Sequence, residues 1–239
     1  MQTPSKMGFL VLGVSIFFGL SALGYLLGNA LLEYKQLERS VNVKGLSEKE
    51  FEADIVIWPI QFLVASNDLE DLYESIDTNN QKIKEFLLQS NIKPEEITFG
   101  TPLITDKIAT QYSSVEKPEF RYSAAQTVTV YSTNIKGVME VKGTLSKLGK
   151  KGIAFTGENY EARTEYLFTR LNEIKPLMIE EATKEARAVA QKFASDSQSK
   201  LGKIKSASQG QFTITERDTN NPHIKKVRVV STVEYYLND

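Results

Sequence analysis

His223 is the single histidine of the chain, set in the polar segment Asp218-Thr219-Asn220-Asn221-Pro222-His223, and cysteine is absent. An imidazole can move protons or bind a metal near neutral pH. One imidazole alone builds neither a histidine triad nor a two-histidine metal site. Beside Asn-Pro it reads as a solvated loop residue. The lack of cysteine removes thiol nucleophiles, thiolate metal sites and disulfides together. Carboxylates adjoin at Glu95/Glu96 and Glu180/Glu181, on a turn and a helix surface, where solvation is the default. The patterns G-x-x-x-x-G-K-[ST], G-x-G-x-x-G and G-x-S-x-G do not occur. These residues give no catalytic, metal or cofactor site, and the reading leans away from an enzyme. An enzyme here would need a Ser-Lys or two-carboxylate site.

The acid and base counts, 30 and 29, leave a net charge of −1, which is no nucleic-acid footprint. The basic run Lys147, Lys150 and Lys151, beside Gly149 and Gly152, reads as the last turn and cap of a helix.

Gly8 to Leu32 carries no charged side chain. As a helix it would reach ~37 Å, more than the ~30 Å hydrocarbon core of a bilayer. It exceeds the apolar region of a signal peptide, so an uncleaved signal-anchor is expected, although Gly28-Asn29-Ala30 offers a small-x-small cleavage site. Lys6 lies on one side and Lys35 and Arg39 on the other, so charge does not favour N-in. The short tail before a long apolar run favours N-in, C-out. Gly24 and Gly28, with Ser21 one turn earlier, form a small-residue face suited to helix association in lipid. The expected order is a tail at 1–7, the anchor at 8–32, a polar linker at 33–40 and one soluble domain at 41–239.

Within that domain Val41 and Val43 alternate up to Gly45. Val56, Trp58, Ile60, Phe62 and Val64 share one strand face, with Trp58 in the core. Pro59 argues for an edge strand or a bulge. Asn67 and Glu70 resemble a capping box before a helix with a stripe of Leu69, Leu72, Ile76, Ile83 and Leu87, interrupted by Asn80. That helix stops at Asn91-Ile92-Lys93-Pro94. A strand at 97–104, a hairpin loop at 105–118 and a strand at 120–131 follow. The next helix starts near Asn134, with Ile135, Val138, Val141, Leu145 and Leu148 buried. Residues 153–171 read as extended. The longest helix starts near Asn172, burying Met178, Ala182, Ala186, Val189 and Phe193, and that region ends at Gly202. Strands at 211–215 and 225–237 close the chain. The class expected is α+β, a mixed or antiparallel sheet packed with about three helices, preceded by one transmembrane helix.

The order of motifs resembles the SIMPL-domain family. It comprises the strand Val41-Asn42-Val43-Lys44-Gly45, then Asp54, Asn80, the segment Asn91-Ile92-Lys93-Pro94-Glu95-Glu96-Ile97-Thr98, and the tyrosine-led strand Phe120-Arg121-Tyr122-Ser123-Ala124. The alanine helix Ala182, Ala186, Ala190, Ala194 with its Leu201-Gly202 exit completes it. The chain departs from the family at Ala53, where proline is usual, and at Asn91, where glycine is usual. The resemblance implies a bacterial envelope protein, with homo-oligomers in some members and a proposed link to oxidative-stress defence. It carries over no catalytic residues. The expectation is a non-enzymatic protein of the bacterial inner membrane, single-pass, with its C-terminal domain in the periplasm. It would act by homo-oligomerisation or partner binding, without nucleic acid, and its small-molecule ligand is unknown. The alternatives are an exported hydrolase-like enzyme and a periplasmic binding protein released by cleavage.

Overall fold

The computed structural model describes residues 6–37, 39–109, 118–157 and 162–238. Helix α1 (Lys6–Leu37) contains Leu10–Leu31, a stretch long and apolar enough to cross a membrane and fully exposed on the chain. The helix continues to Leu37, into the polar segment that follows the apolar run. Contacts divide the chain into two units. One comprises Met1–Glu48, Pro176–Phe212 and Arg228–Asp239; the other comprises Lys49–Lys175 and Thr213–Val227. The class is α+β with antiparallel pairing, as expected.

The second unit is built on β2 (Ile55–Ser66) and β5 (Tyr122–Ser132), paired antiparallel from Val56↔Ser132 to Ser66↔Tyr122. Alternation puts Val56, Trp58, Ile60 and Phe62 on one buried face, opposite Val128 and Val130. Each such large apolar side chain contributes roughly 1.5–3 kcal/mol on burial. Helix α2 (Leu69–Gln89) adds Leu72, Ile76, Asn79, Ile83 and Leu87. The buried polar residue of that stripe is therefore Asn79, and Leu69 at its start is exposed. Asn80 is half-buried, with its side-chain oxygen buried and unpartnered.

The N-cap of α2 is Asp68, whose carboxylate accepts from the Glu70 and Asp71 amides. Asn67 instead ties the chain across to Glu119 and Arg121. The helix stops at a left-handed residue, Asn91 at φ 62°. The Ile92 amide donates to the Leu87 carbonyl at 3.1 Å and the Asn91 amide to Leu88 at 3.1 Å, a Schellman stop. Asparagine tolerates this conformation, so the departure from glycine keeps the turn.

The stretch at 97–104 is two short strands, β3 (Ile97–Phe99) and β4 (Leu103–Asp106), both on β5. They are split where Gly100 bonds Thr127 and Gln126. The loop expected at 105–118 lies in part outside the described residues. Helix α3 (Ile135–Gly143) buries Val138 and Val141, and the single turn α4 (Ser146–Gly149) buries Leu148. Gly149 ends α4 beside Lys147, Lys150 and Lys151. The short strands β6 (Ala154–Phe155) and β7 (Glu165–Leu167) both pair with β2. Strand β2 is thus central rather than an edge. Pro59 sits between Ile57, paired with β7, and Gln61, whose carbonyl accepts from Thr156.

In the first unit β1 (Ser40–Glu52) and β8 (Lys200–Gln209) flank β10 (Ile224–Asn238). Helix α5 (Leu171–Asp196) buries Met178, Ala182, Ala186, Ala190 and Ala194. Val189 and Phe193, expected in that face, are 40% and 55% exposed. The buried line follows a strict four-residue step, and its alanines bring the helix backbone onto the sheet, too close for valine or phenylalanine. Strand β8 was not expected. It is an edge strand with a mostly exposed burial pattern, and it starts just before Gly202.

Candidate functional site

In the second unit the end of β1, the start of α3 and the turn before β10 enclose a cleft of about 470 Å³. Its lining includes Glu52, Asn134, Lys136, Met139, Glu140 and His223. The turn that delivers His223 is held by hydrogen bonds to one carboxylate. The Asp218 carboxylate accepts from the Arg217 guanidinium at 2.8 Å and from the amides of Asn220 and Asn221, both at 2.9 Å. The Arg217 bond, then the Asn221 side chain, holds the Asp218 carboxyl down at about 2 against partial burial. Strand β9 (Thr213–Glu216) pairs with β10 beyond this turn.

His223 is therefore not the solvated residue that its Asn-Pro neighbourhood implies. It is half-buried, its ring centroid is 6.0 Å from that of buried Tyr166, and its Nδ1 is buried without a partner. Its carbonyl accepts from the Ala53 amide at 2.8 Å. Alanine, where the family has proline, supplies that donor.

A latch beside the cleft fixes Glu52 and Ala53. The Asp54 carboxylate accepts from the Thr169 amide, from the Thr169 hydroxyl at 2.9 Å, and from the Arg170 amide and Nε at 3.2 and 2.5 Å. Arg170 also donates to the Glu52 carbonyl at 3.3 Å. Phe51 and Phe168 stack at 5.5 Å, and the Arg170 guanidinium lies over Phe168. Burial pushes the Asp54 carboxyl up, and the bonds from Thr169 and Arg170 outweigh it, leaving it below the usual carboxylate range.

On the far wall Asn134 caps α3 by accepting from the Gly137 amide at 3.1 Å. Ser132 accepts from the Asn134 amide and donates to Glu96 at 2.6 Å. Glu96 is thus a structural tie, not one of a free carboxylate pair. Lys136 reaches Glu52 at 3.8 Å across exposed surface. The cleft offers carboxylates, an ammonium, an amide and the apolar surface of Ile135 and Met139, a setting for binding an amphipathic ligand. No cluster of three or more metal-ligating side chains occurs among the described residues.

The other residues singled out in the sequence are dispersed. Glu180 pairs with Lys184 at 2.5 Å, and Glu181 accepts from the Ser47 hydroxyl at 2.6 Å. Gly24 and Gly28 lie on α1 with nothing within 4 Å of their Cβ positions. Sequence reasoning missed the Asp54 partners Thr169 and Arg170, and the buried Lys225, whose ammonium lies 3.5 Å from Glu216. A lysine in phase with Val227 and Val229 was the one available signal.

Comparison with curated proteins yields no match. Residues 41–233, beginning at the Val41–Gly45 strand and taking in the Asp54 latch and the alanine face of α5, match the family model described as SIMPL, protein of unknown function (DUF541). The chain belongs to the SIMPL family.

Proposed function

We propose that this is a membrane-anchored SIMPL protein with residues 41–239 on the extracytoplasmic side of a bacterial inner membrane, acting by self-association or partner binding. The supporting observation is an exposed apolar helix that leads, three residues beyond Leu37, into the first strand of the SIMPL domain. The proposed order is tail 1–7, signal-anchor 8–32, linker 33–40 and domain 41–239. Gly24 and Gly28 provide the association face, because glycines four apart let two helix backbones approach closely in lipid. The exposed Val189 and Phe193 add an apolar step on α5. The tie to oxidative-stress defence belongs to the same proposal, and its check is the oxidant sensitivity of cells lacking the protein.

The test is energy transfer between labelled full-length chains in bilayers. Replacing both Gly24 and Gly28 by leucine should lower it several-fold. A strictly monomeric full-length chain at high micromolar concentration overturns self-association. Extraction by carbonate, or protease resistance of residues 41–239 in intact spheroplasts, overturns the topology.

The His223 cleft favours a second reading, a binder of a small amphipathic ligand. A compound that raises the thermal midpoint of the wild type but not of Met139→Glu supports it.

A further inference from the structure

A second groove, in the first unit, carries a different chemistry. It encloses about 580 Å³ between α5 and the start of β8, lined by Glu180, Thr183, Lys184, Arg187, Lys203 and Tyr235 among others. Three cations meet one carboxylate there. Glu180 is committed to Lys184 at 2.5 Å, and the Thr183 hydroxyl donates to the Ile179 carbonyl. Arg187 and Lys203 have no ion-pair partner among the described residues, so the groove keeps two uncompensated positive charges. Lys205, two residues on, is drawn away to Glu234 at 3.1 Å. Tyr235, 3% exposed, closes the floor. A guanidinium and an ammonium on opposite walls suit a phosphate, which Arg grips as a fork and Lys as a point charge.

The position of the groove says where that phosphate comes from. The Leu237 amide donates to the Arg39 carbonyl at 2.9 Å, and β8 pairs with β10 as Leu201↔Leu237 and Ile204↔Tyr235. Gly202 and Lys203 therefore lie at the end of the sheet where the chain arrives from α1. Chain geometry alone places Tyr235 within roughly 20 Å of the end of that helix. A groove so tethered meets the headgroup layer at high effective concentration, which a free solute does not match.

We propose that Arg187 and Lys203 bind the phosphate of an anionic phospholipid headgroup, docking the sheet end of the SIMPL domain on the bilayer. This rests on α1 being a membrane anchor.

The test uses the full chain in nanodiscs of phosphatidylcholine, with and without phosphatidylglycerol, reading amine labelling of Lys203 by mass spectrometry. Labelling of the same Lys203 in discs of phosphatidylcholine alone is the reference. Lys203 labelling should fall about fivefold on adding phosphatidylglycerol, the effect of one cation near an anionic surface. The variant Arg187→Gln should recover most of it. Equal Lys203 labelling in both discs overturns the proposal. Equal protection by inorganic phosphate in neutral discs assigns the groove to a free anion and overturns the lipid. A chain that enters neither disc overturns the anchor reading and this one with it, whereas entry with unprotected Lys203 overturns this one alone.

Discussion

Gly45 of β1 lies against the backbone of α5: a Cβ on Gly45 would stand 1.8 Å from the Ala182 carbonyl oxygen and 2.4 Å from the Ala186 amide nitrogen. Both obstacles are main-chain atoms, so the helix itself would have to move. We expect Gly45→Ala to cost about 3 kcal/mol or more, the upper range of overpacking. Urea unfolding with an unchanged m-value is the check. Gly143, at the end of α3 with nothing within 4 Å, is the control. Gly143→Ala should be neutral or stabilise by up to ~1 kcal/mol.

The exposed side of the same helix should be indifferent. Phe193→Ala is expected within ~0.5 kcal/mol of wild type, as for surface substitutions. Ala186→Leu, against the sheet, should lose ~1–3 kcal/mol. Thermal midpoints in the reverse order would return Phe193 to the core.

Asp54 makes stability depend on acid. Its folded carboxyl sits below the unfolded value near 4, so its contribution is present above about pH 4 and is lost as the pH falls through the folded value. Asp54→Asn removes charge-assisted bonds, each worth ~1.5–3 kcal/mol, and should lower stability by about that amount at pH 7. The variant's stability curve should also be flatter as the pH falls below about 4, where the unfolded carboxyl takes up its proton. A parallel pair of curves would show that the latch is energetically idle.

His223→Ala is expected to cost about 1 kcal/mol, because the ring packs on Tyr166. His223→Leu keeps apolar bulk and discards the unpartnered Nδ1, so it should cost less than alanine. Calorimetry of the pair decides, and a silent alanine variant would restore the solvated-loop reading.

What could be read in advance was whatever a single element encodes by itself. The alternation Val56–Trp58–Ile60–Phe62 and the α2 stripe report their own period, and both elements stand where that period puts them. Strand β8 announces nothing, because Lys200, Lys203, Lys205 and its serines are the residues of an exposed edge, without a buried face to set an alternation. The burial of His223 depends on Tyr166, and the role of Asp54 on Thr169 and Arg170, partners that come from distant parts of the chain. The alanine line of α5 was legible, but Val189 and Phe193 were drawn into it by hydrophobicity. Proximity to Gly45 is what selects small residues there.

Pro59 has a further effect through the hydrogen it lacks. Ile57, Pro59 and Gln61 turn their main-chain polar groups toward the same flank of β2, where β7 occupies the first position and Thr156 the last. An extended segment drifting into the interval between them would find a carbonyl to bond but no amide to answer it. The interval is thus a poor template for strand addition. Two copies of this sheet brought together would not zip into a fibre at that point.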